Sequence, residues 1–251
     1  MSARAYGATS VRVLAQLRAD PRTVALIVAV PTLLITLLYF VYQGQDSPPG
    51  VPSIFDRVGV SMLGILPFVA MFLVTAIAMQ RERTSGTLER LMTTPLTKLD
   101  LLGGYGTAFS VAAVVQAAVA CAVSFWLLGL DIAGSIALVM LVAVLVAVLG
   151  VALGLLCSAF ARTEFQAVQF MPLIVGPQLF LCGLLVPRGE LPGWLEAISN
   201  VLPLSYAVSA MRQVSTHASP TGAMWRDIAV VGGFAIVALC LAASTMRRRT
   251  P

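Results

Sequence analysis

Charge is scarce in this sequence: Lys, Arg, Asp and Glu make up 11% of its 251 residues, with one lysine, Lys98, and one histidine, His217. A soluble domain carries about 25% charged and roughly 45–50% apolar residues. Here 59% are hydrophobic, spread along the whole chain, so no soluble domain of useful size fits within it. Lys98 follows Thr97 and not a glycine, which excludes a GxxxxGK[ST] phosphate loop and ATP binding by that route. His217 lacks a partner at metal-ligand spacing and reads as a solvated loop residue. Cys121, Cys157, Cys182 and Cys240 each stand alone in an apolar run; they form neither a disulfide framework nor a metal site and read as small buried apolar residues. No Ser/His/Asp set and no paired intramembrane aspartates present themselves, so no catalytic site and no metal are expected. The net charge of +5 does not point to nucleic acid, because no basic stripe alternates with aromatics and the basic residues gather at the ends of apolar runs.

What is abundant is long charge-free runs. An uncompensated charge at the bilayer centre is costly, and about 20 residues cross 30 Å of hydrocarbon. The windows 23–42, 58–79, 101–130, 132–161, 165–187 and 228–246 predict an all-α integral membrane protein with six transmembrane helices in a single domain over 1–251. The first window is too long for a signal-peptide core and lacks a small-residue cleavage site. Six spans place both termini on one side. That side collects twelve Lys and Arg, in the N-terminal arm, the segment 80–100, Arg162 and the tail 247–249, against four on the other, Arg57, Arg188, Arg212 and Arg226. The positive-inside rule makes the first side cytoplasmic.

Pro31, Pro67, Pro172 and Pro177 lie within spans and predict kinks. Gly150-Val-Ala-Leu-Gly154 is a GxxxG pair suited to close helix approach, within the chain or between two copies. Asp131, Glu164 and Asp227 fall at predicted helix ends, and the spans hold only neutral polar residues such as Gln116, Gln166, Gln169 and Gln178. A carrier coupled to an ion gradient keeps an ionisable group in mid-membrane, so energy is expected from a partner. Gln116, Phe170, Gln178 and Phe180 are the candidate pathway residues, although a glutamine in such a bundle also serves interhelical hydrogen bonding.

Three segments between spans carry further information. Residues 10–20 place Val11, Leu14 and Leu17 toward one face and end at Asp20-Pro21, predicting an interfacial helix. Residues 81–92 group Leu88, Leu91 and Met92 on one helical face, Arg83, Thr87 and Arg90 on a second, and Glu82 and Glu89 on a third; Pro95 stops them and Thr97 to Asp100 caps the next span. Outside, 188–226 is too apolar for a free loop. Trp194, Leu195, Ile198 and Val201 line one short helix, and after Pro203 the residues Leu204, Val208, Met211 and Val214 line another.

The stretch Glu82-Arg83-Thr84-Ser85-Gly86-Thr87-Leu88-Glu89-Arg90-Leu91 resembles the ERxxGTLExL segment of ABC-2 type transporter permeases. The run from Phe180 through Cys182, Gly183, Pro187, Pro192, Gly193 and Trp194 to Pro203, Tyr206 and Arg212 resembles that family's signature after the fifth span. The likeness covers essentially the whole chain and is strongest to small drug- and lipid-exporting permeases of the daunorubicin-resistance type. It implies that 81–92 is a coupling helix docking on a separate ATP-binding subunit through Glu82, Arg83, Gly86, Thr87, Leu88, Glu89, Arg90 and Leu91. It also implies a second permease copy, identical or paralogous, and a re-entrant external hairpin over 188–214 with Pro192, Trp194, Pro203, Tyr206 and Arg212. This chain would bind no cofactor, ATP and Mg being used by the partner. The location implied is the cytoplasmic membrane, the function export of a hydrophobic or amphipathic drug or lipid. A stand-alone channel or carrier, and a polysaccharide exporter, are the alternatives.

Overall fold

The computed structural model describes residues 3–45, 52–87 and 97–245, and among these every regular element is helical. In chain order they are α1 (Ala3–Ala19), α2 (Pro21–Tyr42), α3 (Ile54–Thr84), α4 (Lys98–Ala122) continued by a π-helical turn over Val123–Leu127, α5 (Ile136–Ser158), α6 (Glu164–Leu181), a 3-10 turn (Arg188–Glu190), α7 (Gly193–Ser199), α8 (Pro203–Thr216) and α9 (Gly222–Thr245).

Local chemistry sets the starts. Asp20 caps α2 by accepting from the Thr23 amide and hydroxyl, with Pro21 in the first turn. Ser53 with Asp56 and Thr97 with Asp100 form capping boxes on α3 and α4, the second as expected. Thr163 caps α6, and Pro203 opens α8.

Among the described residues five helices are long and apolar enough to cross a membrane: α2, α3, α4 with its π turn, α5 and α9. The remaining predicted span, 165–187, corresponds to α6, whose 18 residues cover about 27 Å at 1.5 Å each. Its three glutamines and two prolines keep it outside that set. Several boundaries differ from expectation. The windows 101–130 and 132–161 end and begin in a loop turned by Gly129 (φ 67°), where Ala133 N–H donates to Ser215 O at 3.0 Å. The window 165–187 breaks after Leu181 at Gly183 (φ 91°), a conformation that favours glycine, and Arg212 donates to the Gly183 carbonyl.

Helix α3 is the centre of the bundle, packed by α5, α2, α6 and α8. Gly150 and Gly154 face α3 backbone at Phe68 and Phe72, so the GxxxG pair serves packing within the chain. The predicted face of α8 is buried in full: Leu204, Val208, Met211 and Val214 all join the core. Helix α1 lies against α4, with Tyr6 over Gly103 and Thr9 over Gly104. Its buried side runs through Thr9, Ser10 and Val13; of the predicted face Leu14 and Leu17 pack partly buried against the core, while Val11 is exposed. Cys121, Cys157 and Cys182 are buried as expected, but Cys240 lies exposed on α9. Asp227 is not at a helix end. It sits inside α9, buried, accepting from Gln213 and from Arg226.

Candidate functional site

The expected coupling segment starts differently from its prediction. Helix α3 runs unbroken through Arg81, Glu82, Arg83 and Thr84, so these residues form the last turn of the long helix and not the start of a separate one. The break comes at Ser85 and Gly86 (φ 72°), a left-handed conformation natural only to glycine, and Thr87 follows. Leu88, Glu89, Arg90 and Leu91 lie outside the described residues.

That last turn is tied on two sides. Arg81 donates from Nε and Nη2 to the two carboxylate oxygens of Glu164, each at 3.2 Å, a forked contact joining α3 to the start of α6. Glu82 turns toward α1, with Oε1 3.6 Å from Arg12 Nη1 and 3.4 Å from Gln16 Nε2. Arg12 also donates from Nη2 to the Tyr105 hydroxyl at 2.5 Å, its guanidinium 5.6 Å from that ring's centroid. One network therefore connects α1, α3 and α4. Within it Glu82 Oε2 is buried without a donor and Arg12 Nε without an acceptor, and beside it Arg83 Nε and Nη2 are buried without an acceptor among the described residues. Arg12, Gln16, Arg81, Tyr105 and Glu164 were absent from the expected site.

Beside this network lies a cavity of about 460 Å³, bounded by α1, α2, α3 and α4. Asp20 stands on its rim, and the hydrogen bonds from Thr23 hold its carboxyl below the ordinary carboxylate value.

The candidate pathway residues do not come together. Gln116 is 0% exposed and both its amide atoms lack partners among the described residues. Gln178 is buried and occupied, donating to Ile174 O at 3.0 Å and accepting from Leu204 N at 3.3 Å. Phe170 packs against the core, whereas Phe180 is 68% exposed. What sequence reading missed is the open face of α6. Phe165, Gln169, Pro172, Leu173, Pro177 and Phe180 are exposed along one side, and only Ala167, Val175 and Gln178 are buried. Each proline leaves the carbonyl four residues earlier, at Val168 and at Leu173, without its helical donor. The stripe at 165, 169, 172–173, 177 and 180 was visible as a helical period mixing aromatic and polar residues.

The segment expected to lie outside forms two short helices broken at Pro203. Pro192 precedes α7, whose Trp194 and Ile198 are exposed, as is Val201 after it. The Tyr206 hydroxyl donates to Asn200 O at 2.7 Å, and Arg188 lies over the Tyr206 ring at 5.3 Å while donating to Asn200 Oδ1. Ser199 donates to Leu181 O at 2.8 Å. With the Gln178 and Arg212 bonds, these contacts fasten the hairpin to the end of α6.

The sequence model of the ABC-2 type transporter family matches residues 4–215. The probable multidrug ABC transporter permease YbhR of Escherichia coli is 26% identical over 168 residues, 67% of this chain and 46% of that protein. The ABC transporter G family member 20 of Dictyostelium discoideum is 30% identical over 159 residues, 63% of this chain and 22% of its own length. The linearmycin resistance permease protein LnrN of Bacillus subtilis is 26% identical over 151 residues, 60% of this chain and 38% of its own. The chain thus matches less than half the length of each of these relatives.

Proposed function

Since the chain belongs to the ABC-2 type transporter family, we propose that it is the membrane-spanning permease of an ATP-driven exporter, moving a hydrophobic or amphipathic drug or lipid across the cytoplasmic membrane. The observation that carries this reading is the open face of α6. A helix turned to lipid does not present an unpaired glutamine amide and two freed carbonyls, because nothing in hydrocarbon satisfies them. A wall that alternates Phe165, Leu173 and Phe180 with Gln169 and the carbonyls of Val168 and Leu173 suits a passage that is wetted or filled by an amphipathic cargo. On this reading α6 is the fifth of six spans, short because it lines a cavity, and it faces its counterpart in a second permease copy. The names of the relatives, multidrug and linearmycin resistance permeases, agree with such a cargo.

Energy comes from a separate subunit that binds ATP and Mg, and the cytoplasmic turn after α3 is where it docks, with the N-terminal arm and the end of α9 on the same side. Glu82 and Arg83 sit where force on the turn at Gly86 passes directly into α3, the helix that contacts most of the bundle. The test is charge reversal at Glu89 and Arg90. In a merely interfacial segment each reversal costs well under about 1 kcal/mol; in a docked contact like charges meet and several kcal/mol are lost. Glu89→Arg and Arg90→Glu should insert normally, fail to co-purify with the ATPase and lose export. Unchanged export in both variants rejects the coupling role. A stand-alone carrier is the second reading, and robust uptake driven by a pH gradient alone in proteoliposomes would favour it.

A further inference from the structure

The exporter reading uses the place of Glu82 in the last turn of α3, but not the cavity that its side chain lines. That cavity runs from a polar end at the cytoplasmic ends of the helices, with Asp20 and Glu82, to an apolar end about two turns deeper, with Leu26, Val74, Ile77 and Phe109. Its volume of about 460 Å³ is that of a drug-sized ligand site.

The charges at its polar end are unevenly matched. Arg81, the cation lining it among the described residues, is committed to Glu164 through both Nε and Nη2. Glu82 has long contacts on one oxygen, 3.6 Å to Arg12 and 3.4 Å to Gln16, and faces the Tyr105 hydroxyl, while its Oε2 has no donor within hydrogen-bond distance among the described residues. Arg12 makes its short bond elsewhere, to Tyr105 at 2.5 Å. A buried carboxylate oxygen without a donor is an unanswered acceptor, and the group that answers it best is a charged N–H. An anionic head would instead meet two carboxylates.

We propose that this cavity binds an amphiphile carrying a protonated amine, its apolar body against Leu26, Val74, Ile77 and Phe109 and its ammonium at Glu82. The site is separate from the α6 face and lies within one copy of the chain. That its occupant is cargo rests on the exporter reading; that it binds does not.

The experiment uses the full chain alone in phosphatidylcholine nanodiscs and two fluorescent probes with the same dansyl group. One is dansylcadaverine, with a free ammonium, and the other is dansyl-aminohexanoate, with a carboxylate. Dansylcadaverine should bind saturably and at least about tenfold more tightly than the carboxylate probe. Glu82→Gln, which keeps the side chain's shape, should weaken dansylcadaverine at least about tenfold and leave the carboxylate probe unaffected. Leu26→Trp, at an exposed position of α2 on the cavity wall, should block dansylcadaverine while the chain keeps its thermal midpoint. Equal binding of both probes, or equal dansylcadaverine binding by the parent and Glu82→Gln, overturns the proposal. Selective binding that persists while the complex with its ATPase exports nothing supports the site and counts against the exporter reading alone.

Discussion

Replacing Gly154 by alanine tests the packing that holds α5 against the central helix. A methyl group there would lie 2.6 Å from the Phe72 carbonyl oxygen and 3.1 Å from both Thr75 Cβ and Ala76 N, all on α3. Ordinary contact begins near 3.4 Å, so the two helices must part by roughly 0.8 Å at that level. Neither can yield locally, because two of the obstructing atoms are backbone inside a helix. A gap of that size forfeits about a quarter to a half of the dispersion energy of each separated pair. Phe68 and Phe72 on α3 and Leu149 and Leu155 on α5 are fully buried, so the parting is felt in the core. On the scale of overpacked cores this costs about 2–3 kcal/mol.

Thermal unfolding in nanodiscs should show the Gly154→Ala midpoint lowered by roughly 4–10 °C. Gly232→Ala on α9, where an added methyl meets nothing within 4 Å, is the control and should not lower it. A dimerisation role for the same glycines predicts the opposite order: the copies dissociate first and each chain keeps its stability. A Gly154→Ala protein that unfolds with the parent would refute the close α3–α5 contact and the reasoning built on it.

Two further outcomes follow from named positions. In a cysteine-free version, cysteines placed at the exposed Ser85 and Val201 should react with impermeant reagents from opposite faces, Ser85 from the cytoplasmic one; labelling of both from a single side would overturn the topology. Glu164→Gln should cost less than about 1 kcal/mol in thermal unfolding, because the side chains of the fork are well exposed, Glu164 at 44% and Arg81 at 63%, and therefore screened, whereas a larger loss would show that the fork is a buried clamp between α3 and α6.

Which parts of this arrangement were legible depends on whether they are local. The capping box at Thr97 and Asp100, the break at Pro203 and the buried face of α8 all follow from spacing within a few residues, and all are present. The end of α3 is local too, yet its position was misplaced, since Arg81 to Thr84 are as content in the last turn of a long helix as in the first turn of a short one. Only the positive φ at Gly86 decides between these, and a glycine in sequence permits that conformation without requiring it. Glutamines mark the limit most clearly. Gln178 and Gln116 look alike as polar residues in apolar runs, but Gln178 is held by Ile174 and Leu204, 26 residues away, while Gln116 has no partner among the described residues. The difference is set by which helix lies opposite, a property of the bundle and not of either segment. Glu82 is the same case with more at stake. Its neighbours on α3 suggest a solvated charge, and only the arrival of α1, bringing Arg12 against a tyrosine 93 residues further on, turns it into a carboxylate with one oxygen left to satisfy. The unmatched atom, more than the motif around it, is what the proposed ammonium would answer.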